Sequence, residues 1–298
     1  MAARLWSVHS HSGQFCSHAR DSLAEIVHTA HERGFSHYGL SEHMPRANPA
    51  FLYPEEIEAG LGPKELAEQF ESYVQEARRL QQAYAGRLSI AVGMETEFCE
   101  PGSLKAAREL RQQHNLDYIV GSVHHVDGIA IDFDAAQMAR AEQQAGGPTA
   151  LAVRYFEHVR TMIEALQPTV VGHFDLFRLF RGEIPLTGPV LDAALRALTA
   201  GLEHDCIFEI NTSGLRKGLP GPYPHADLLK MMLERGARLT ISDDAHGTAQ
   251  VGTNYGRLRQ YLLDHGVTEL HVWRADDVRT WTRVPVVGWT DDPAWSAL

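Results

Sequence analysis

The sequence predicts an α/β fold in which parallel strands close into a barrel. Two observations favour this class: short β-prone apolar runs alternate with segments of helical spacing along 298 residues, and seven or eight such units favour closure over an open sheet. A third observation argues against the alternative fold, a doubly wound sheet. The first apolar run is followed by His9-Ser10-His11-Ser12, not by the Gly-rich fingerprint of dinucleotide-binding sheets.

The strands are predicted from their apolar, β-branched composition and short length. They cover residues 5–8, 37–40, 88–92, 118–120, 169–171, 206–210, 239–241 and 269–272.

The helices are predicted from apolar residues three and four apart. In the first, this spacing runs from Leu23 to Ala30. Asp21 is its predicted N-cap and Gly34 its predicted end. The other helices cover residues 65–84, 104–112, 150–166, 189–200, 226–234 and 255–264.

Three stretches interrupt this alternation. Residues 44–63 and 127–148 are rich in Pro, Ala or Gly and are predicted to be loops over the strand ends, where substrate-facing insertions lie in barrels. The domain prediction is a barrel over residues 1–272 and a C-terminal extension over residues 273–298. The extension contains Trp281, Trp289 and Trp295, and we expect it to pack on the barrel or at a subunit contact, which leaves a homo-oligomer open.

Composition limits the classes of function. The formal charge of −11 and the lack of a basic stripe disfavour nucleic acid as a partner. Neither a signal peptide nor a membrane span is expected, so the predicted location is cytoplasmic. Cys16, Cys99 and Cys206 form no Cys-x-x-Cys pair and are predicted to be packing residues.

The seventeen histidines are the unusual feature of the composition. Many of them, together with acidic residues and one Asn, directly follow predicted strands. These strand-end residues are His9, His11, Glu42, His43, Glu95, His124, His125, His173, Asn211, Asp244 and His246. Because the carboxyl ends of parallel barrel strands open on one face, we expect these side chains to converge at one mouth.

Imidazole and carboxylate together suit zinc, iron or manganese, and the lack of thiolates favours a catalytic over a structural site. The alternation of side chains along a strand lets both imidazoles of His9-Ser10-His11 reach one ion, and Asp244-Ala245-His246 repeats that spacing. Histidines within or beside helices are interpreted as solvated residues, and His125 is left open. Asp243 stands beside the motif, and Asp244 is preferred because only it has the Asp-x-His spacing.

These motifs resemble those of the PHP (polymerase and histidinol phosphatase) superfamily. They stand as His9-Ser10-His11, Ser41-Glu42-His43, Gly93-Met94-Glu95, Ser122-Val123-His124, Gly172-His173 and Asp244-Ala245-His246. The stretches Phe15-Cys16-Ser17-His18 and Asn211-Thr212-Ser213-Gly214-Leu215-Arg216-Lys217 are similar to those of the monofunctional histidinol-phosphate phosphatases.

The resemblance implies a distorted (β/α)7 barrel and a trinuclear centre of zinc, manganese and/or iron. It implies His9, His11, Glu95 and Asp244 as ligands of a first ion, and Glu95, His124 and His173 as ligands of a second. His18, His43 and His246 are the implied ligands of a third. Glu95, Asp244 and His246 are the catalytic residues in this scheme.

The implied activity is hydrolysis of L-histidinol phosphate, a late step of histidine biosynthesis, by a metal-bound hydroxide. We expect Arg216, and with less support Lys217 and Arg160, to bind the phosphate, because a guanidinium matches two phosphate oxygens at once. The alternative for Arg160, which lies on a predicted helix, is an exposed surface charge.

Other functions share part of this pattern. Nucleases and nucleotide phosphoesterases of the same superfamily have the same ligands, and amidohydrolase-type deaminases also place His-x-His after the first strand. The deaminases lack the closing Asp-x-His. An inactive metal-binding domain is a further alternative, but such domains usually lack part of the ligand set. The small-molecule phosphatase is therefore the preferred interpretation.

Overall fold

The protein is described from a computed structural model, which covers residues 5–274, 280–285 and 295. The strands are β1 (Leu5–Ser7), β2 (Phe35–Leu40), β3 (Ser89–Glu95), β4 (Tyr118–Gly121), β5 (His125–Val126), β6 (Ile129–Ala130), β7 (Val170–Val171), β8 (Ile207–Asn211), β9 (Leu239–Ser242), β10 (Glu269–Arg274) and β11 (Thr280–Pro285).

Within these described residues, seven strands form one parallel sheet in the order β1-β2-β3-β4-β7-β8-β9. The order in space is the order in the chain, without the reversal of a doubly wound sheet. The ends of the sheet meet at the mouth, where Ser10 bridges Ala245 and the backbone N–H of His11 donates to the carbonyl of Ala245 at 2.8 Å. The predicted barrel is confirmed and the doubly wound alternative is wrong.

Helices cover the outside of this barrel and bury their apolar faces against the strands. They are α1 (Leu23–Glu32), α2 (Pro54–Glu58), α3 (Pro63–Ala83), α4 (Pro101–Gln113), α5 (Ala135–Ala145), α6 (Pro148–Leu166), α7 (Arg178–Arg181), α8 (Gly188–Glu203), α9 (Ser213–Arg216), α10 (Ala226–Glu234) and α11 (Tyr255–Asp264). No helix of the described ranges is both long and apolar enough to span a bilayer.

The start of α1 differs from the prediction by one residue. Ser22, not Asp21, is the N-cap: its hydroxyl accepts from the backbone N–H of Glu25, and the Glu25 carboxylate accepts from the backbone N–H of Ser22. This reciprocal pair satisfies two helix-end donors, which a single Asp cap does not. The Asp21 carboxylate instead accepts from the backbone N–H and hydroxyl of Thr248.

The two predicted loops contain helices, so these predictions are wrong in part. The stretch 127–148 includes α5, which Asp134 caps and which ends at Gly146 in the left-handed region (φ 94°). Its apolar stripe consists of Met138, Ala141 and Ala145. Such small residues among polar ones give little periodic signal. The stretch 44–63 contains α2.

The eighth predicted strand exists as β10 but lies outside the barrel sheet. It pairs antiparallel with β11, and Val272 lines a small cavity together with Trp6, His37 and Ser89 of the barrel strands. The predicted domain boundary at residue 272 therefore falls inside a strand. Of the extension, residues 275–279, 286–294 and 296–298, including Trp289, lie outside the described residues, while Trp295 stacks on Tyr255 at 5.5 Å.

Candidate metal centre

The carboxyl ends of the barrel strands bring the predicted ligands to one mouth, in the arrangement expected of a parallel barrel. Glu95 is the last residue of β3, and the others follow β1, β2, β4, β7 and β9. Most of them are buried: His9 and His11 are fully inaccessible, and Glu95 is 1% exposed. Residues far apart in sequence thus share one small volume.

The carboxylate of Glu95 lies at the middle of the cluster. Its Oε1 is 3.2 Å from Nε2 of His9 and 3.3 Å from Nε2 of His124. Nε2 of His173 is 2.9 Å from the same oxygen. Its Oε2 faces the other side and is 3.4 Å from Nε2 of His11 and 3.1 Å from Nδ1 of His43. One carboxylate therefore connects histidines from four parts of the barrel.

The potential ligand atoms form groups in which all lie within 4.8 Å of one another. One consists of His9, His11 and Asp244, and a second of Glu95, His124 and His173. A third consists of Cys16, His18, His43 and His246. These groups match the second implied set, contain the third together with a cysteine, and contain the first without Glu95, which is grouped instead with His124 and His173 and with His11 and His43.

The outer nitrogens of several rings are held by other polar groups. Nδ1 of His9 is 2.9 Å from the buried Glu209 carboxylate, Nδ1 of His18 is 3.3 Å from Glu55, and Nδ1 of His246 is 2.9 Å from the carbonyl of Asp244. Such contacts fix the orientation and tautomer of metal-binding imidazoles. They leave Nε2 of each ring for the centre.

The residues present fit a metal centre, as their unsatisfied atoms show. Buried polar atoms normally find hydrogen-bond partners, because an unpaired one costs about 1–3 kcal/mol. Among the described residues, Nε2 of His9, both ring nitrogens of His11 and of His43, and Nδ1 of His173 make no hydrogen bond of good geometry, although carboxylates lie beside several of them. A cluster of unpaired nitrogens around buried carboxylates matches the donors that zinc, iron or manganese use.

In the centre, burial and the neighbouring opposite charges shift the pKa values of the ligand side chains in opposite directions. Burial disfavours the charged form of His9, but Glu95 and Asp244 hold the pKa of this imidazole well above its usual value. Burial likewise opposes ionisation of Glu95, but His9 and His124 hold the pKa of this carboxyl well below its usual value. These neighbours thus favour the anionic form of Glu95, which is the form in which a carboxylate binds a metal ion.

The group around His18 has its own charge pattern. Burial raises the pKa of the Cys16 thiol, but hydrogen bonding to His18 and His43 brings it down to about 6. Burial lowers the pKa of His18, but Cys16 and Glu55 raise it to about 9. Cys16 is buried, as a packing residue is, but its sulfur lies 3.2 Å from Nε2 of His18, whereas the thiol of the buried Cys206 faces the carbonyl of His204.

Asp244 is held in an uncommon backbone conformation. Its φ is +47°, in the left-handed region that non-glycine residues seldom adopt. Arg216 supports this turn, because its Nη1 and Nη2 donate to the carbonyls of Asp243 and Asp244, each at 2.9 Å. The neighbouring Asp243 carboxylate accepts from the Ser7 hydroxyl and the Gly252 backbone N–H, and burial raises its pKa to about 6.

A pocket of about 380 Å³ opens beside the centre. Arg216 and Lys217 line it close to the potential ligands, and both carry positive charge. It is also lined by Tyr53, Asp132 and Phe133, in which the two aromatic rings are stacked with centroids 6.1 Å apart. The pocket is thus lined by two cationic side chains, by an acidic side chain and by two aromatic rings.

Arg160 is not brought to this pocket, and here the sequence prediction needs correction. It lies on α6, where its guanidinium donates to Glu157 at 2.9 Å and to Glu164 at 2.7 Å. These are neighbours three and four residues away on one helix face. The surface-charge alternative is therefore the better interpretation. His125, for which the sequence favours neither role, contacts Cys99 (Sγ to Nδ1 3.4 Å).

Sequence reasoning missed the residues that hold the predicted ligands. Glu97 lies 2.8 Å from Nδ1 of His43, and Glu209 lies 2.9 Å from Nδ1 of His9. One signal was available: Glu209 is two residues before Asn211 on β8, so both point to the same side of the strand. Glu55 has no such signal, since it comes from the helix α2 within a predicted loop.

Comparisons with known proteins agree with this geometry. The family model described as PHP domain matches residues 7–213. The Schizosaccharomyces pombe protein named "Probable histidinol-phosphatase" is 43% identical over 270 residues, 89% of this chain and 88% of that one. The Saccharomyces cerevisiae "Histidinol-phosphatase" is 32% identical over 335 residues, 99% of this chain and 100% of that one.

A solved structure has the same fold. It is histidinol phosphate phosphatase (HISK) from Lactococcus lactis, complexed with zinc, L-histidinol and phosphate. It superposes with a TM-score of 0.69 at 16% identity, covering 91% of this chain and 97% of that one. The family model and the two yeast relatives each cover more than half of the sequence, and on that basis this chain belongs to the PHP domain family, together with the histidinol-phosphatases.

Proposed function

We propose that this protein is a metal-dependent phosphatase that hydrolyses L-histidinol phosphate to L-histidinol and inorganic phosphate in histidine biosynthesis. One observation carries the proposal. The buried cluster around Glu95 opens into a pocket whose lining includes Arg216 and Lys217 as well as Asp132, Tyr53 and Phe133. Likeness to two yeast proteins with this name over most of the chain supports it.

The proposed centre would hold three ions, of zinc, manganese and/or iron. His9, His11, Glu95 and Asp244 would hold the first, Glu95, His124 and His173 the second, and His18, His43 and His246 the third. The two oxygens of Glu95 face different histidines, as a bridging carboxylate requires. Bound ions would supply Lewis acidity, which clamps phosphate oxygens and makes a water molecule acidic enough to attack. Glu95, Asp244 and His246 are the catalytic residues in this proposal.

Arg216 and Lys217 would bind the phosphate. Arg216 uses two of its five N–H donors on the carbonyls of Asp243 and Asp244, which fixes the guanidinium beside the centre and leaves the remaining donors for phosphate oxygens. Lys217 is exposed at the pocket and adds a second positive charge. Together they would offset the charge that develops during ester cleavage.

The pocket lining also includes groups that suit the other end of this substrate, which carries an ammonium and an imidazole. The Asp132 carboxylate can pair with the ammonium, and the stacked rings of Tyr53 and Phe133 offer a flat apolar surface to the imidazole. Discrimination would then depend on both ends of the substrate being bound.

The test compares substrates on the metal-loaded enzyme. We expect kcat/KM for L-histidinol phosphate to exceed that for p-nitrophenyl phosphate or a mononucleotide by at least ~100-fold, the range that a few extra polar contacts supply. The gene should also restore growth without histidine to a strain that lacks histidinol phosphatase, and the Glu95→Gln form should not. Equal or faster turnover of nucleotides or single-stranded DNA would refute the assignment and support a nuclease or nucleotide phosphoesterase.

A further inference from the structure

The group of potential ligands around His18 contains a thiol that the proposed function does not use. The Cys16 sulfur lies 3.2 Å from Nε2 of His18, and its group also includes His43 and His246. Cys16 is only 7% exposed. Nε2 of His43 has no hydrogen-bond partner among the described residues, whereas Nδ1 of this ring faces the carboxylates of Glu97 and Glu95, so Nε2 is the donor left for a ligand.

The loop that carries Cys16 is held in place by its backbone. The N–H of Cys16 donates to the carbonyl of Ser12 at 2.9 Å, and the N–H of Ala19 donates back to the carbonyl of Cys16 at 3.1 Å. The N–H of Arg20 then donates to the carbonyl of His246 at 2.8 Å. The loop after β1 is thus joined to the loop after β9, and the thiol is positioned toward the histidines rather than toward the solvent.

The spacing fits coordination of one ion. In a tetrahedral zinc site, with Zn–S of about 2.3 Å and Zn–N of about 2.0–2.1 Å, sulfur and nitrogen are roughly 3.5 Å apart. The observed separation of 3.2 Å between Cys16 and His18 is close to this value, and all four donor atoms lie within 4.8 Å of one another. Three imidazoles and one thiolate would complete four-coordination.

We propose that Cys16 is a thiolate ligand of the third ion, in addition to His18, His43 and His246. This inference rests on the proposed metal centre. On binding, the sulfur loses its proton to solvent and donates an electron pair to the metal, so no oxidant or reductant is needed. Because thiolate is a soft ligand, this position should favour zinc, cobalt or iron over manganese and magnesium.

Cobalt substitution tests the proposal directly, because a thiolate bound to Co²⁺ gives a charge-transfer absorption in the near ultraviolet that imidazole and carboxylate do not. We expect this band in the wild-type protein loaded with three Co²⁺ per chain. It should persist in the Cys99→Ser, Cys206→Ser double variant, in which Cys16 is the one remaining cysteine of the sequence. It should disappear in Cys16→Ser.

The matched control is Cys206→Ser, since Cys206 is buried and its thiol faces the carbonyl of His204 at 3.9 Å. A band that survives in Cys16→Ser, or that is absent from the fully loaded wild-type protein, would overturn the proposal. Circular dichroism checks that Cys16→Ser folds. If it does not, the double variant still decides, because loss of the band there assigns it to Cys99 or Cys206.

A second measurement needs no substitution. The apoprotein and the zinc-loaded protein are treated with iodoacetamide, and alkylation of each cysteine is followed by peptide mass spectrometry. Zinc should slow alkylation of Cys16 at least 10-fold and leave the rate at Cys206 unchanged; equal rates at Cys16 would contradict the proposal. Neither readout uses turnover, so a protein that shows them without hydrolysing histidinol phosphate would refute the proposed function alone.

Discussion

At the scale of single residues, the carboxylates of the centre have two different roles: one faces the ligand nitrogens, and another orients a ring from outside. Glu95 faces the inner nitrogens of His9, His124 and His173, whereas Glu209 faces the outer nitrogen of His9. A carboxylate inside the cluster would bind the ions and neutralise part of their charge, whereas one outside it orients a ligand ring. Substitutions at these positions should therefore have different consequences.

The first prediction separates a metal ligand from a phosphate binder. Glu95→Gln removes the central charge, so bound metal should be lost and kcat should fall by about 100- to 1000-fold or more. Arg216→Ala should retain its metal, because Asp244 is still held by Asn211 (Nδ2 to Oδ2 3.3 Å), and should lose about 10- to 100-fold in kcat/KM, the worth of a charged hydrogen bond.

Elemental analysis and steady-state kinetics on the same preparations check this prediction. Arg238→Ala is the matched control, since Arg238 pairs with Asp205 outside the pocket. Unchanged kinetic constants in Arg216→Ala would show that the phosphate binds elsewhere.

The second prediction concerns the cationic end of the substrate. Asp132→Asn keeps the side-chain shape and removes its charge, so KM for histidinol phosphate should rise about 5-fold, which corresponds to about 1 kcal/mol for a partly exposed ion pair. The same variant should hydrolyse p-nitrophenyl phosphate normally, because that substrate has no ammonium. Asp192→Asn on α8 is the control; a parallel loss on both substrates would assign Asp132 a structural role.

At the scale of elements, glycines inside the strands let the barrel close around its aromatic residues. A Cβ at Gly93 would lie 2.5 Å from the ring of Tyr118, and one at Gly39 would lie 2.4 Å from its hydroxyl. That hydroxyl donates to the carbonyl of Val8 at 2.8 Å and so connects β4 with the end of β1. The glycine of the Gly93-Met94-Glu95 motif is thus required for packing next to a ligand.

The third prediction follows from this contact. Gly93→Ala should lower the free energy of unfolding by about 1–3 kcal/mol, because the buried Tyr118 ring has to shift. Gly102→Ala is the control: it lies in α4 with nothing closer than 3.9 Å, and alanine there should be neutral or stabilise by up to about 1 kcal/mol. Urea denaturation of the two variants measures both values, and equal stability would contradict the packing argument.

One residue of the C-terminal extension is packed against the barrel. Trp295 is fully buried and stacks on Tyr255, whose hydroxyl donates to the carbonyl of Trp6 at 2.6 Å. We therefore propose that the extension packs on the barrel next to β1.

At the scale of the whole molecule, the centre joins residues from β1 to β9, so bound ions should stabilise the entire barrel. A ligand that binds only the folded state stabilises it by about 2.7 kcal/mol at 100 times its Kd. Gently purified protein should contain more than one transition-metal ion per chain, because the potential ligands exceed what one ion can use.

The fourth prediction is that chelation abolishes turnover and lowers Tm by about 5 °C or more. Zinc, manganese, iron or cobalt should restore both, to different extents. Elemental analysis, differential scanning calorimetry and phosphate release measure these quantities. A fully active protein without metal would refute the proposed chemistry.

The sequence by itself determined the barrel and the positions at which polar side chains leave it. Strand and helix order follow from local periodicity, and in a parallel barrel this order dictates that His9, Glu95 and Asp244 meet. The same local information failed at α5, whose small apolar residues are weakly periodic, and at Asp21, where a reciprocal capping pair one residue later is the more stable arrangement.

Only the tertiary structure decided which further groups reach the mouth and which do not. Arg160 turned to Glu157 and Glu164 on its own helix, while Cys16 and Glu55 joined the histidines from a loop and a short helix. The physical reason is that strand ends are fixed by the barrel's hydrogen bonds, whereas loop residues are placed by contacts between segments distant in sequence, which no local pattern encodes.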